Sequence, residues 1–258
     1  MVIMHRSQAG VPLLQSTQGY APKLFFDGRD WNDVVTSVKT ITPLALSPLV
    51  SEELSHWINS QNYFQLFEKV FGTNAITAPK IAMAIAAYKR FLYSNQAPFD
   101  FMIATQDPSF LTLQEKSRQV FMSQGCNACH TGALFSNEEF QNIGVSPNAE
   151  DSGRFAVTGV EADRGKFKAT SLRSLQFRTS FMHTDRLTSL EEVVELYDRG
   201  GDFANPNLDT RITPLFLSNT QKTNLVSFLG RPLTDPRVTN ETGPFSLPAL
   251  YAGSSREP

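Results

Sequence analysis

Residues 122–132 read MSQGCNACHTG and hold both cysteines of the chain, Cys126 and Cys129, followed directly by His130, one of four histidines. Two thiols three positions apart with an imidazole next to them can grip a metal or a metallo-cofactor. The Cys-x-x-Cys-His order reads as a c-type haem attachment site. The thiols add across the two vinyl groups of one porphyrin edge, and the adjoining imidazole reaches the iron from one face. A structural zinc site needs four ligands, but there is no third cysteine, and His5, His56 and His183 are scattered. A thioredoxin-type dithiol follows a strand in a βαβ unit, whereas a helical pattern precedes Cys126. The expectation is one covalent haem c, bound by Cys126, Cys129 and His130, with His130 also the proximal iron ligand.

The other face of the iron poses a second question. A methionine there raises the reduction potential and suits electron transfer, whereas a tyrosine lowers it. Met102 and Met122 lie upstream of the motif or inside the preceding helix and are poorly placed. Met182 and His183 lie in SFMHTD, and Tyr197 lies further on. Leu190, Val193, Val194 and Tyr197 follow the i, i+3, i+4, i+7 spacing of one helix face, so Tyr197 shares a buried face. A core tyrosine with its hydroxyl bonded to backbone fits that spacing equally well. His183 reads as a neighbour of the haem and not a ligand. Arg154, Lys166 and Arg173 are candidate partners for the haem propionates, since cations form charge-assisted bonds with carboxylates; solvated loop charges are the alternative.

Helical patterns supply the elements that must position these groups. Residues 51–71 carry an apolar stripe, and 78–93 are alanine-rich with Pro79 near the start, where its missing N–H costs little. LTLQEKSRQVFMSQG opens with a capping box, Thr112-x-x-Glu115, and should stop near Gly125. Residues 135–180 read as a long structured loop with short strands; loops of that length in compact domains usually serve a site. TSLEEVVELYDRGG is a short helix with a Thr188-x-x-Glu191 cap. A last helix over 219–229 is capped by Ser218-x-x-Gln221 and ended by Gly230 and Pro232. The proline-rich end beyond it reads as extended and superficial. Totals set the outer bounds. The 258 residues are 41% hydrophobic, with 20 phenylalanines, enough for a real core. A net charge of −2 gives no footprint for nucleic acid or an anionic membrane, and no apolar stretch approaches the length of a membrane span. Residues 1–16 do not read as a secretory signal.

Beyond single motifs, GCNACHTGALFSNEEFQNIGV, DSGRFAVTGVEADRGKFKATSLRSL, SFMHTDRLTSLEEVVELYDRGG and NPNLDTRITPLFLS resemble the C-terminal haem domain of the bacterial di-haem cytochrome c peroxidase and MauG family, in its order and spacing. APKLFFDGRD and FGTNAITAPKIAMAIAAYKRFLYSNQAPFDFM resemble the segment joining that family's two haem domains. The likeness implies a mainly α fold, with a cytochrome c-like haem domain over 108–232 and a helical linker region over 20–107. Residues 1–19 are then a loosely held N-terminal remnant, and 233–258 a proline-rich tail. It implies an oxidoreductase whose N-terminal haem reacts with peroxide and whose C-terminal haem passes or stores electrons. In the peroxidase branch a methionine on the short helix after an HDG-like motif ligates that second haem. Counted from His183, the matching position is Tyr197, and the MauG branch uses tyrosine there. Met182 is the alternative distal ligand.

The departures carry information too. A second Cys-x-x-Cys-His is missing, so the peroxidatic haem has no attachment site in this sequence. The family's linker reads Phe-Trp-Asp-Gly-Arg with the tryptophan as an electron relay; here Phe26 stands in that place, between Phe25 and Asp27. The acidic residue that assists peroxide chemistry is matched by Val50, and the family's interdomain calcium ligands are not matched. The preferred expectation is the electron-transfer half of a di-haem peroxidase or MauG-like oxidase, in the periplasm, its partner being the missing N-terminal haem domain or a redox protein. The alternative is a mono-haem c electron carrier without peroxidase activity.

Overall fold

Two helices, pressed together at their apolar faces, frame the centre of the molecule: α3 (Leu113–Ser123) and α6 (Asn219–Leu229). The computed structural model describes residues 63–74, 80, 83, 91–105, 113–148 and 150–246. In chain order these hold α1 (Tyr63–Phe71), α2 (Pro98–Thr105), α3, a two-stranded sheet, α4 (Phe155–Thr158), α5 (Leu190–Asp198), α6 and α7 (Pro236–Thr239), with 3-10 turns between them. The fold is mainly α, as the sequence led us to expect. The sheet is the pair β1 (Phe140–Gln141) and β2 (Phe167–Lys168), antiparallel, with Phe140 opposite Lys168 and Gln141 opposite Phe167. The Thr112–Glu115 cap, Phe26, Val50 and most of 78–93 lie outside the described residues.

Why α3, α5 and α6 assemble follows from their apolar faces. Phe121 of α3, Val194 of α5, and Leu225, Phe228 and Leu229 of α6 form one core with Phe135, Leu217 and Leu233. The rings of Phe121 and Phe228 lie 5.0 Å apart, and Phe99 stands edge-on to Phe135 at 5.0 Å, the tilted and T-shaped geometries that ring quadrupoles favour. The opposite side of α5 offers Leu196 to a second cluster with Val145, Phe181 and Leu187. Helix α5 is thus gripped from both sides, and this fixes the rotation of Tyr197 about its axis.

Two local expectations are corrected. The cap of α5 sits one residue later than Thr188-x-x-Glu191: Ser189 is in extended backbone, and its hydroxyl accepts from the Glu192 N–H. Thr188 instead donates to the Glu192 carboxylate. The cap of α6 is as expected, a reciprocal box between Ser218 and Gln221. Nor are the residues just after 232 superficial. Asp235 and Leu233 are fully buried, and Phe245 and Val238 pack on Leu92. The Asp235 carboxylate accepts from the N–H of Gln96 and of Arg237 and from the Arg237 guanidinium. A second tie joins α2 to the same body: buried Arg173 makes a bidentate pair with Asp100 at 2.7 and 2.8 Å and donates to the Ala133 carbonyl.

Candidate haem site

Helix α3 ends at Ser123, and two residues on Gly125 has a φ of 74°, the left-handed conformation glycine tolerates best. A 3-10 turn over Cys126–Ala128 follows at once. Such a turn has three residues per repeat, so side chains at i and i+3 eclipse. Cys126 and Cys129 are therefore brought to one side by local geometry alone. The loop after them curls back: the Asn137 N–H donates to the Cys129 carbonyl at 2.8 Å, and Phe135 brings its carbonyl to 3.0 Å from His130 Nδ1. A carbonyl only accepts, so Nδ1 carries the proton and Nε2 holds the lone pair. Burial holds the His130 imidazolium pKa below its ordinary value, with backbone bonds to Phe135 and Thr170 opposing in part; burial thus favours the neutral ring, the form that can ligate a metal. Fixing one ring nitrogen on a carbonyl is how metal-bound histidines are oriented.

Cys126, Cys129 and His130 open onto a cavity of about 230 Å³. Its wall is mostly apolar: Phe121 of α3, Leu190, Val193 and Val194 of α5, Leu225 and Leu229 of α6, and Ile143, Val145, Phe167, Leu172, Leu175, Phe181, Leu215 and Leu217 from the loops. Burial pushes the Cys126 thiol up to about 11, and the Cys129 thiol is also raised by burial, with nearby Arg211 opposing. Tyr197 faces the same space. Burial pushes its phenol well above the usual value, and the two cysteines add to the shift. It stays protonated unless a metal takes the oxygen, since a bound cation reverses such shifts. Met182 also lines the cavity, in left-handed backbone (φ 66°), and packs against the Val145–Phe181–Leu187–Leu196 cluster. His183 lies in the wall, stacked on Phe167 with centroids 3.4 Å apart, its Nε2 3.2 Å from the Ser146 hydroxyl.

The three cations expected beside a cofactor stand elsewhere. Arg154 lies over the Phe140 ring at 4.0 Å and 3.6 Å from Asp163; Lys166 lies 3.4 Å from the same carboxylate. Arg173 is committed to Asp100. Each has a carboxylate partner, and none lines the cavity. The cations on the wall are Lys168, Arg178 and Arg211. Lys168 pairs with Glu138, and Arg211 pairs in bidentate fashion with Asp209 at 2.7 and 2.8 Å.

Four asparagines, also not anticipated, hold one side of the wall. The Asn142 amide nitrogen donates to Asn148 (2.7 Å) and Asn207 (3.0 Å), while its oxygen accepts from Asn205 and the Gly144 N–H. Asn207 continues to the carbonyls of Ala162 and Arg164. The network ties the end of β1 to the segment that carries Arg211 and Leu215. The backbones there meet so closely that a Cβ at Gly144 would lie 2.7 Å from the Phe203 carbonyl. The asparagine-rich stretches QNIGVSPN and NPNLD were the available sequence signal.

A helical domain with a Cys-x-x-Cys-His turn, a carbonyl-fixed imidazole and an apolar cavity has the features of a cytochrome c-type haem protein. Comparison with known proteins agrees. The family model for di-haem cytochrome c peroxidase matches residues 11–108. The methylamine utilization protein MauG of Methylorubrum extorquens is 34% identical over 170 residues, 65% of this chain and 48% of that protein. Cytochrome-c peroxidase IdrP2 of Denitromonas iodatirespirans is 29% identical over 242 residues, covering 80% of this chain and 64% of that one. Among solved structures, a MauG-like protein associated with microbial copper homeostasis superposes with a TM-score of 0.68 at 24% identity, over 78% of this chain and 66% of the other. The diheme peroxidase BthA from Burkholderia thailandensis gives 0.61 at 17%, over 92% and 70%; both bear on fold. The chain is similar to the di-haem cytochrome c peroxidase and MauG family. It spans about half the length of the MauG relative.

Proposed function

We propose that residues 108–232 form a haem c domain acting as the electron-transfer half of a di-haem peroxidase or MauG-like oxidase, in the periplasm. The observation that carries this reading is the convergence of Cys126, Cys129, His130 and Tyr197 on one apolar cavity. A haem held there supplies one-electron iron chemistry. Cys126 and Cys129 would hold the haem through thioethers, each sulfur bonding one vinyl carbon while the thiol proton passes to the other. His130, oriented by the Phe135 carbonyl, would ligate the iron through Nε2. Tyr197 would supply its oxygen to the iron on giving up its proton. Tyr197 is favoured over Met182 because Met182 is already used in an apolar cluster. The apolar wall excludes water and keeps the iron's surroundings at low dielectric. Thioether attachment takes place outside the cytoplasm, which is the basis for the location.

Export of the chain with haem-attachment machinery, followed by intact mass under denaturing conditions, tests this reading. One haem added to the chain mass is expected, with none on Cys126→Ala/Cys129→Ala. Tyr197→Phe should change the optical and EPR spectra and raise the midpoint potential; spectra identical to the parent's would remove Tyr197 as ligand. The alternative, a mono-haem electron carrier, takes its support from the single attachment motif. It predicts reversible one-electron cycling with no peroxide turnover when the chain is paired with its redox partner.

A further inference from the structure

Among the described residues, Arg178 is the cation on the cavity wall without a carboxylate partner. It follows the 3-10 turn Leu175–Phe177 in extended backbone, with its N–H tied to the Leu175 carbonyl at 2.9 Å. No hydrogen bond or ion pair of its guanidinium occurs among the described residues. Asp185 acts on it through longer-range attraction and accepts a bond from Ser180. Burial weakens its hold on its proton, with Asp185 opposing in part, the sign of a charge taken out of water and only partly compensated. A cation at a low-dielectric wall is costly unless something anionic meets it. Lys168 and Arg211 have met that need with Glu138 and Asp209.

Arg178 lines the same cavity as Cys126, Cys129 and His130. The two cysteines would hold the vinyl edge of a porphyrin. The propionates leave a porphyrin on the side away from the vinyl groups. Thr170 lines the wall with Arg178 and can add a hydroxyl donor.

We infer that Arg178 is the counter-ion of a haem propionate, anchoring the carboxylate end of the cofactor while Cys126 and Cys129 anchor the other. The inference rests on the haem reading above. Its consequence is electrostatic. A cation beside the propionate favours the ferrous state, which carries one less positive charge at iron. On the Coulomb scale, a charge on the order of 10 Å away at an effective dielectric of about 20 alters the ferric-to-ferrous ratio on the order of tenfold, which is about 59 mV for one electron.

The test is redox titration and resonance Raman spectroscopy of the exported full chain as parent, Arg178→Gln, Arg178→Lys and Arg154→Gln. Arg178→Gln should lower the midpoint potential by about that amount and shift the propionate bending band. Arg178→Lys should keep the potential near the parent's, and Arg154→Gln should change neither. A haem-loaded Arg178→Gln with parental potential and parental propionate band overturns the inference. If Arg178→Gln does not accumulate with haem, rescue by Arg178→Lys supports the charge pairing, and equal failure of the lysine variant overturns it. A parent chain that takes up no covalent haem refutes the haem reading itself, a result distinguishable from every outcome above.

Discussion

Asp100→Asn removes the charge opposite Arg173 while nearly preserving shape. The Arg173 side chain is 3% exposed and that of Asp100 23%. An exposed ion pair is worth about 0–1 kcal/mol, whereas breaking a buried pair costs about 3–5 kcal/mol because the remaining charge stays uncompensated. Here the stranded partner is the more buried one, and it keeps one bond to the Ala133 carbonyl. We therefore expect a loss near the lower end, about 3 kcal/mol, or roughly 150-fold in the folding equilibrium. Urea denaturation followed by circular dichroism measures it. The damage should also reach the site, because Ala133 belongs to the loop that delivers the Phe135 carbonyl to His130. A haem-loaded Asp100→Asn should show altered imidazole-sensitive Raman bands. The double variant Asp100→Leu/Arg173→Met removes both charges and should recover much of the loss. A cost below about 1 kcal/mol for Asp100→Asn would falsify the claim that this pair is effectively buried.

Asn142→Ala leaves the Gly144 N–H and parts of three asparagine amides unpartnered in the interior, a cost of about 3 kcal/mol from buried unsatisfied groups; the urea midpoint should fall accordingly, and an unchanged midpoint would show that the network is replaceable by water. The Asp198 carboxyl is held below its usual range, first by the Leu217 N–H at 2.7 Å and then by Lys222. A carboxyl depressed on folding contributes stability that is complete above its unfolded value of about 3.9 and is lost as pH falls through the folded value. Asp198→Asn should therefore destabilise at pH 7 and make little difference once the parent's own carboxylate is protonated; an equal deficit at both ends of the titration counts against the assignment.

The turn that carries Cys126, Cys129 and His130 was legible because it is local. These three need only a helix that stops just before Gly125 and a 3-10 turn after it, and both follow from a few adjacent residues. The face occupied by Tyr197 was legible for a similar reason, since helical periodicity needs no partner to be counted. The boundary of α5 was less so: Thr188 and Ser189 both offer a capping hydroxyl, each with a glutamate three residues on, and backbone geometry chose Ser189.

Charges behave differently, because what a cation does depends on which carboxylate comes to it. Arg173 and Asp100 are 73 positions apart, and only the docking of α2 joins them. Asn142 meets Asn207 across 65 positions. Nothing adjacent to Arg178 marks it as the cation left without a partner. Short-range order thus determined the anchor of the site, the helices and one distal candidate. Tertiary packing decided which cations face the cavity and how residues 233–246 dock, because pairing of buried charges and amides depends on distances that only the folded chain sets.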